Sequence, residues 1–445
     1  MSNISCILYP PSLDFNYLVQ RPQHLMKSFS RLNVLSYYIN WNSPDNPIRK
    51  NRGIERVNPY LYVFYDVDPK PYLANVRPVV YYTVPVHVET VQEYNPSLLV
   101  FDSVDQPTEE FEPWKPYYYR AVSSADLVLA ASEKLYHMAK EINENTYLIP
   151  NGCDYDYFSQ ARSKNLPVPG DMQGIKRPII GYMGVVATWC DLQLLEKLAL
   201  RFPDASIVIV GPLFNVSGVP QYSNIHWLGF KPYEQLAGYL SLFDVGIIPF
   251  KMSSMIEAVN PIKLWEYMAA GIPVVTTNIP EIKKYKDLVL YSENEEEFMQ
   301  NITTALYNDS PQKKDQRMAL ARENSWIERA KQIVGLIEAK LVEKGVSAEN
   351  NPSLVRENIF YQGGLQTRDS FSAYLHKSVS DPKIKVSRKT SLKYCVHGGI
   401  ETQQVLNSGI RQPVAPKTAF SGRRLNITGR PVFKYKTERI NKVII

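Results

Sequence analysis

The chain has 445 residues, 44% of them hydrophobic and 21% charged, which suits two or three globular domains with large buried cores and excludes a disordered or fibrous chain. No run approaches the roughly 20 consecutive apolar residues of a membrane-spanning helix. The formal net charge of +6 hides an asymmetry: residues 1–345 lean acidic by about five charges and residues 346–445 lean basic by about eleven. That shift marks the last hundred residues as a separate basic extension.

The N-terminus, MSNISCILYPPSLDF, has neither a basic start nor a long apolar core, so no signal peptide is expected. Cys6, Cys153, Cys190 and Cys395 form no CxxC pair, which predicts a reduced, cytoplasmic setting without structural zinc. SCILYP, NVLSYYIN, LYVFYD, PVVYYTVP, SLLVFDS and DLVLAAS then read as strands, with RPQHLMKSFSRL and EKLYHMAKEI as helices. This alternation predicts an α/β, doubly wound first domain over residues 1–165.

The segment SKNLPVPGDMQGIKRP is rich in Pro and Gly, and the linker is placed there, near residues 163–177. A second α/β domain is expected over 166–345. RPIIGYMG, SIVIVGP, NIHWLGF, DVGIIPF and PVVTTN read as its strands, with DLQLLEKLALRF and YEQLAGYLSLF among its helices. The stretch NPIKLWEYMAAGIPVV reads as a short helix with Asn260 as N-cap and Pro261 at the first helical position. Gly271 and Pro273 end it. Ile262, Trp265, Met268 and Ala269 form its expected buried stripe, Glu266 borders that stripe, and Lys263 lies on the polar side. Alone this is an amphipathic helix with a charge pair; it also suits a phosphate-and-ribose site, with free N–H groups and Lys263 facing an anion. SWIERAKQIVGLIEAKL is the last strong helix pattern.

Eight segments in order resemble bacterial glycosyltransferases of the GT-B fold, closest to family 4 (group 1) and its surface-polysaccharide, teichuronic-acid-type branch. They are QRPQHLM, FDSVDQP, SSADLVLAASEKLY, LIPNGCDYDYF, IGYMGVVATWCDLQLL, IVGP, NIHWLGFKPYEQLAGYLSLFDVGIIPF and NPIKLWEYMAAGIPVV, and they span about residues 20–280. The resemblance implies two Rossmann-like domains with parallel sheets facing a cleft, the second holding a nucleotide-diphosphate sugar. It also implies that the helix near 325–341 crosses back to the first domain. Glu266 resembles the last acid of the family's Glu-x7-Glu motif, expected to hold the ribose hydroxyls. The first acid's position holds Ala258, with Glu257 one residue away. A basic pair that many members use on the diphosphate is replaced by Thr188-Trp189-Cys190-Asp191. Lys263 and the N–H groups around Asn260, Pro261 and Ile262 are therefore expected to meet the diphosphate. Gly181, Gly184, Gly211 and Pro212 are expected at strand ends beside it.

For the chemistry, Asp105 is the preferred acid/base or acceptor-orienting residue, with Asp102, His87 and His24 as further candidates. Arg21 is expected on the acceptor side. Asp66-Val-Asp68 and Asp154-Tyr-Asp156 have the pattern of metal-binding pairs, yet neither falls where this fold needs a metal. No metal and no cofactor is expected beyond the nucleotide sugar as co-substrate. The predicted function is glycosyl transfer to a cell-surface or coat glycan or glycolipid acceptor, on the cytoplasmic side. The basic extension would touch anionic membrane or polymer at the inner membrane face or the spore or cell envelope, and no nucleic-acid module is expected. Two alternatives stand beside it: a non-catalytic structural or coat protein of the same shape, and a sugar-nucleotide epimerase.

Overall fold

A computed structural model describes residues 4–346 apart from 47–49, 74–75 and 163–165. The expected extension therefore lies outside the described residues except for Val346. Apolar runs of four to six residues become fully buried parallel strands, as expected where helices cover both faces of a sheet. The first sheet contains β1 (Ile7–Tyr9), β2 (Ser36–Ile39), β3 (Gly53–Asn58), β4 (Leu61–Tyr65), β5 (Val79–Tyr82), β6 (Leu98–Ser103), β7 (Leu127–Ala130) and β8 (Thr146–Leu148). Their order is β3-β4-β2-β1-β5-β6-β7-β8, parallel except for β3, which runs antiparallel to β4 along one edge.

The second sheet contains β9 (Ile179–Met183), β10 (Ser206–Val210), β11 (Ile225–Gly229), β12 (Val245–Ile248), β13 (Val274–Thr276) and β14 (Leu290–Tyr291). It is parallel throughout, in the order β11-β10-β9-β12-β13-β14. Both sheets belong to one compact unit. In each, the order reverses direction beside the first strand, which opens a crevice at the carboxyl ends of the strands. These two parallel-sheet α/β domains give the chain the GT-B architecture.

Two connections join the lobes. Residues 155–162 already pack on helices of the second sheet, where Tyr157 Oη donates to the Tyr233 carbonyl at 2.6 Å. The chain thus enters the second lobe about ten residues before the expected boundary at 165. At the other end, the Trp326–Glu343 helix lies against the Arg21–Arg31 helix. Its Trp326, Ala330, Ile333, Ile337 and Leu341 fill one core with Leu25, Met26 and Phe29.

Candidate active site

A cavity of about 290 Å³ opens between the two sets of strand ends. From the first lobe it is lined by the loop after β1, the start of the Arg21–Arg31 helix, Thr83 and Val84 after β5, and Val104 and Asp105 after β6. From the second it is lined by Met183–Val185 after β9, Val210–Pro212 after β10, Lys231 after β11 and Asn260–Lys263 with Glu266. Arg21, Asp105, Asn260, Pro261, Ile262, Lys263, Glu266, Gly184, Gly211 and Pro212 thus share one cleft, although they span some 245 residues of sequence.

Glycine makes the floor of the second lobe possible. Gly184 and Gly211 have φ of +149° and +152°, and a Cβ on Gly211 would overlap the Gly184 carbonyl. A Cβ on Gly184 would in turn overlap the Lys263 side chain, which lies across it. The lysine ammonium is held 5.9 Å from the centre of the Tyr182 ring. Among the described residues neither Lys263 nor Glu266 has an ion-pair partner within 4 Å. Burial pushes the Lys263 ammonium below its ordinary value, opposed by Glu266. Burial likewise pushes the Glu266 carboxyl up to about 7, opposed by Lys263. A cation and a carboxyl half-stripped of water, one turn apart and unpaired, are suited to an anion and to hydroxyl donors respectively.

The helix that carries them begins later than its sequence suggests. It spans Ile262–Ala269, with Pro261 as the extended residue before it. Asn260 is not its N-cap. Its Oδ1 instead accepts from the Asn151 amide at 3.2 Å, its carbonyl accepts from Asn151 Nδ2 at 2.6 Å, and its Nδ2 donates to Glu281 at 3.3 Å. Nor is the helix amphipathic: Leu264 through Ala269 are all buried, and Ile262 packs on the first lobe's core.

In the first lobe, Asp105 lines the cleft half-buried, and burial plus repulsion from Asp102 raises its carboxyl to about 7. Asp102 itself does not reach the cleft. It lies inside β6, fully buried, accepting from Arg21 Nε at 2.6 Å, Arg21 Nη2 at 3.0 Å and Tyr81 Oη at 2.5 Å. Arg21 donates its remaining nitrogen Nη1 to Asn151 Oδ1 at 3.1 Å, so its guanidinium braces the cleft wall rather than waiting for an acceptor.

His24 is a packing residue, stacked on Trp326 at 5.3 Å and edge-on to Tyr233, with burial holding its imidazole well below its ordinary range. His87 lies behind the wall, its Nε2 2.9 Å from Ser12 Oγ, and burial pushes it down to about 4. Gly181 sits in the middle of β9, where its missing Cβ admits the Phe243 ring; it is not a strand-end glycine.

The acid-motif departure has a structural counterpart. Ala258 is buried in an apolar cluster with Ala130, Ala131 and Leu135, and Glu257 points elsewhere, pairing with Lys134 at 2.7 Å. Of the Asp-x-Asp signals, Asp66 accepts from Asn42, Asp68 accepts from the Lys70 amide and Asp154 pairs with Arg31. Among the described residues no group of three or more His, Cys, Asp or Glu is placed to hold a metal ion, and no helix is long and apolar enough to cross a membrane.

Sequence reasoning missed three cleft features. Lys231 lines the cavity and pairs with Asp171 at 2.7 Å, a basic residue after β11 that no pattern flagged. Asn151, from the IPNG segment, ties Arg21 to Asn260. Trp114 and Tyr233 also line the cavity, and each has a buried polar atom, Nε1 and Oη, without a partner among the described residues. Orphaned donors in a cleft are what a polar ligand would satisfy.

Residues 177–308 match the family model described as Glycosyl transferases group 1. A protein of Bacillus subtilis (strain 168) that carries the name teichuronic acid biosynthesis glycosyltransferase TuaH is 29% identical over 224 residues. That match covers 46% of this chain and 55% of the relative, so the chain spans about half the length of the curated relative it matches. Among solved structures, the E. coli trehalose-6-phosphate structure bound with UDP-2-fluoro glucose has a TM-score of 0.55 at 10% identity, covering 75% of this chain and 98% of that one. Sucrose-phosphate synthase from Thermosynechococcus elongatus has a TM-score of 0.52 at 15% identity, covering 76% and 97%. At such identities the structural likeness concerns the fold. Over residues 177–308 the chain is thus similar to group 1 glycosyl transferases, and its two lobes share the GT-B architecture of the solved structures.

Proposed function

We propose that the chain transfers a glycosyl group from a nucleotide-diphosphate sugar to a hydroxyl of a cell-surface glycan or glycolipid. The observation that carries this reading is the unpaired Lys263 laid across Gly184, with Gly211 alongside and Glu266 one turn further into the same cleft. Lys263 and the backbone N–H groups near it neutralise the diphosphate without a metal, and Glu266 accepts from the ribose hydroxyls. The acceptor oxygen forms its bond to the anomeric carbon as the bond from that carbon to the diphosphate oxygen breaks. The electron pair leaves with the nucleotide diphosphate, and the acceptor proton passes to Asp105. A carboxyl near pH 7 is matched to that transfer. The polysaccharide class of acceptor is inferred from the name of the TuaH relative, teichuronic acid biosynthesis glycosyltransferase.

The rival reading, a structural protein of the same shape, draws on the buried Ala258 where relatives place an acid. The two raised carboxyls and the free ammonium in one cleft weigh against it, since a scaffold gains nothing from keeping them desolvated. Incubation with UDP-, GDP- and dTDP-sugars tests the choice. Slow release of a nucleoside diphosphate from one of them is expected; no release from any, with no thermal shift by any nucleotide, would sink the enzyme reading.

A further inference from the structure

A second cavity, of about 510 Å³, lies beside the first. Its walls come from both lobes: Glu109 and Glu110 from the turn after β6, Thr188 and Trp189 from the segment after β9, and Lys251 and Ser253 from the segment after β12. Trp189 borders both cavities and packs in part on the second lobe's core. It is half-buried, and among the described residues no aromatic ring or cation is stacked on it.

Opposite stands a carboxylate with unused capacity. Glu110 Oε1 accepts from the Thr188 hydroxyl, while Oε2 is buried with no partner among the described residues. Leaving such an oxygen dry and unbonded is costly, and a ligand hydroxyl would remove the cost. The neighbouring Glu109 has a φ of +53°, an unfavourable conformation for a glutamate. Its side chain offsets that strain by accepting from Ser254 Oγ at 3.0 Å and the Met255 amide at 3.1 Å, both in the other lobe. This clasp holds the turn so that Glu110 shares one chamber with Trp189. At the rim, Lys251 is exposed and supplies donors.

A flat apolar ring, a carboxylate acceptor and an ammonium donor around one chamber match a pyranose, which offers an apolar C–H face and a girdle of hydroxyls. A phosphate group fits less well, because two carboxylates face it. We propose that this outer cavity seats a sugar ring of the acceptor behind the one that reacts, its face on Trp189 and one hydroxyl donating to the Glu110 carboxylate. The proposal rests on the glycosyl-transfer reading above. It puts that ring next to the donor cleft, with a second-lobe tryptophan bordering both sites.

Saturation-transfer NMR with methyl pyranosides of glucose, galactose, N-acetylglucosamine and N-acetylgalactosamine tests it. The full chain is used, with whichever of UDP, GDP or dTDP it binds, or without nucleotide if it binds none. At least one glycoside is expected to receive saturation, and Glu110→Ala and Trp189→Leu should each weaken its binding roughly tenfold. Nucleotide affinity of Glu110→Ala should match the wild type, which also reports that the variant is folded; Glu110→Gln serves as the milder replacement. Undiminished glycoside binding in the folded variants, or no glycoside binding at all, overturns the proposal. Failure to bind any nucleotide while glycosides still bind in the outer cavity overturns the donor reading and leaves this site standing.

Discussion

Asn151 Nδ2 donates to the Asn260 carbonyl at 2.6 Å, and the Asn151 amide donates to Asn260 Oδ1 at 3.2 Å. These two bonds tie the segment that crosses between the lobes to the residues that open the Lys263 helix. Asn151 also accepts from Arg21, which is clamped by Asp102. The donor helix is therefore positioned from the first lobe as well as by its own sheet. Asn151→Ala should lower stability by about 1–3 kcal/mol, because it leaves buried groups of Arg21 and Asn260 unsatisfied. Urea denaturation measures this; a change within a few tenths of a kcal/mol would show that the tie is incidental.

Arg21→Ala should cost more than Asn151→Ala. It strands the fully buried Asp102 carboxylate with, among the described residues, only the Tyr81 hydroxyl donating to it. Removing one member of a buried ion pair costs about 3–5 kcal/mol. The same denaturation series compares the two.

The glycines separate packing from binding. Gly181→Ala presses on the buried Phe243 ring and should destabilise by about 1–3 kcal/mol, mainly through overpacking. Gly184→Ala displaces Lys263 and strains a φ of +149°, so it should weaken nucleotide-diphosphate binding well beyond any loss of stability. Calorimetric titration of both variants beside thermal melts distinguishes them.

The raised carboxyls predict a pH signature in the unliganded protein. A carboxyl raised to about 7 in the fold, from an ordinary 3.8 for Asp105, takes up a proton on folding. Its contribution to stability is fully present below pH 4 and is lost as pH rises through about 7. Asp105→Asn should therefore match the wild type in melting temperature near pH 4 and exceed it at pH 8. Transfer should respond oppositely: the wild-type rate rises through about pH 7 as Asp105 ionises, and the variant lacks that rise.

Much of the fold was legible because its strands are dense apolar runs, SLLVFDS and SIVIVGP among them, that only a covered parallel sheet buries so completely. GIERVN was not legible as β3, since an exposed antiparallel edge strand needs no apolar face. β8 and β14, of three and two residues, carry too little pattern. The site was legible in part. Lys263, Glu266, Gly184, Gly211 and Asp105 do meet in the cleft. What local sequence could not sort is partnership across the fold: Gly181 and Gly184 look alike until Phe243 and Lys263 are placed against them. Asp102 and Asp105, three residues apart, differ only because Arg21 arrives beneath the first. His24 becomes a packing residue through Trp326, some three hundred residues away.

The most direct measurement is isothermal titration of UDP, GDP and dTDP into the wild type and Lys263→Ala. At least one nucleoside diphosphate should bind the wild type, and Lys263→Ala should weaken it roughly tenfold or more, since a charge-assisted contact in a partly dry cleft is lost. The uncharged nucleoside should bind both proteins alike. Equal diphosphate affinity in the two, or no binding to the wild type, would contradict a donor site on the Lys263 helix.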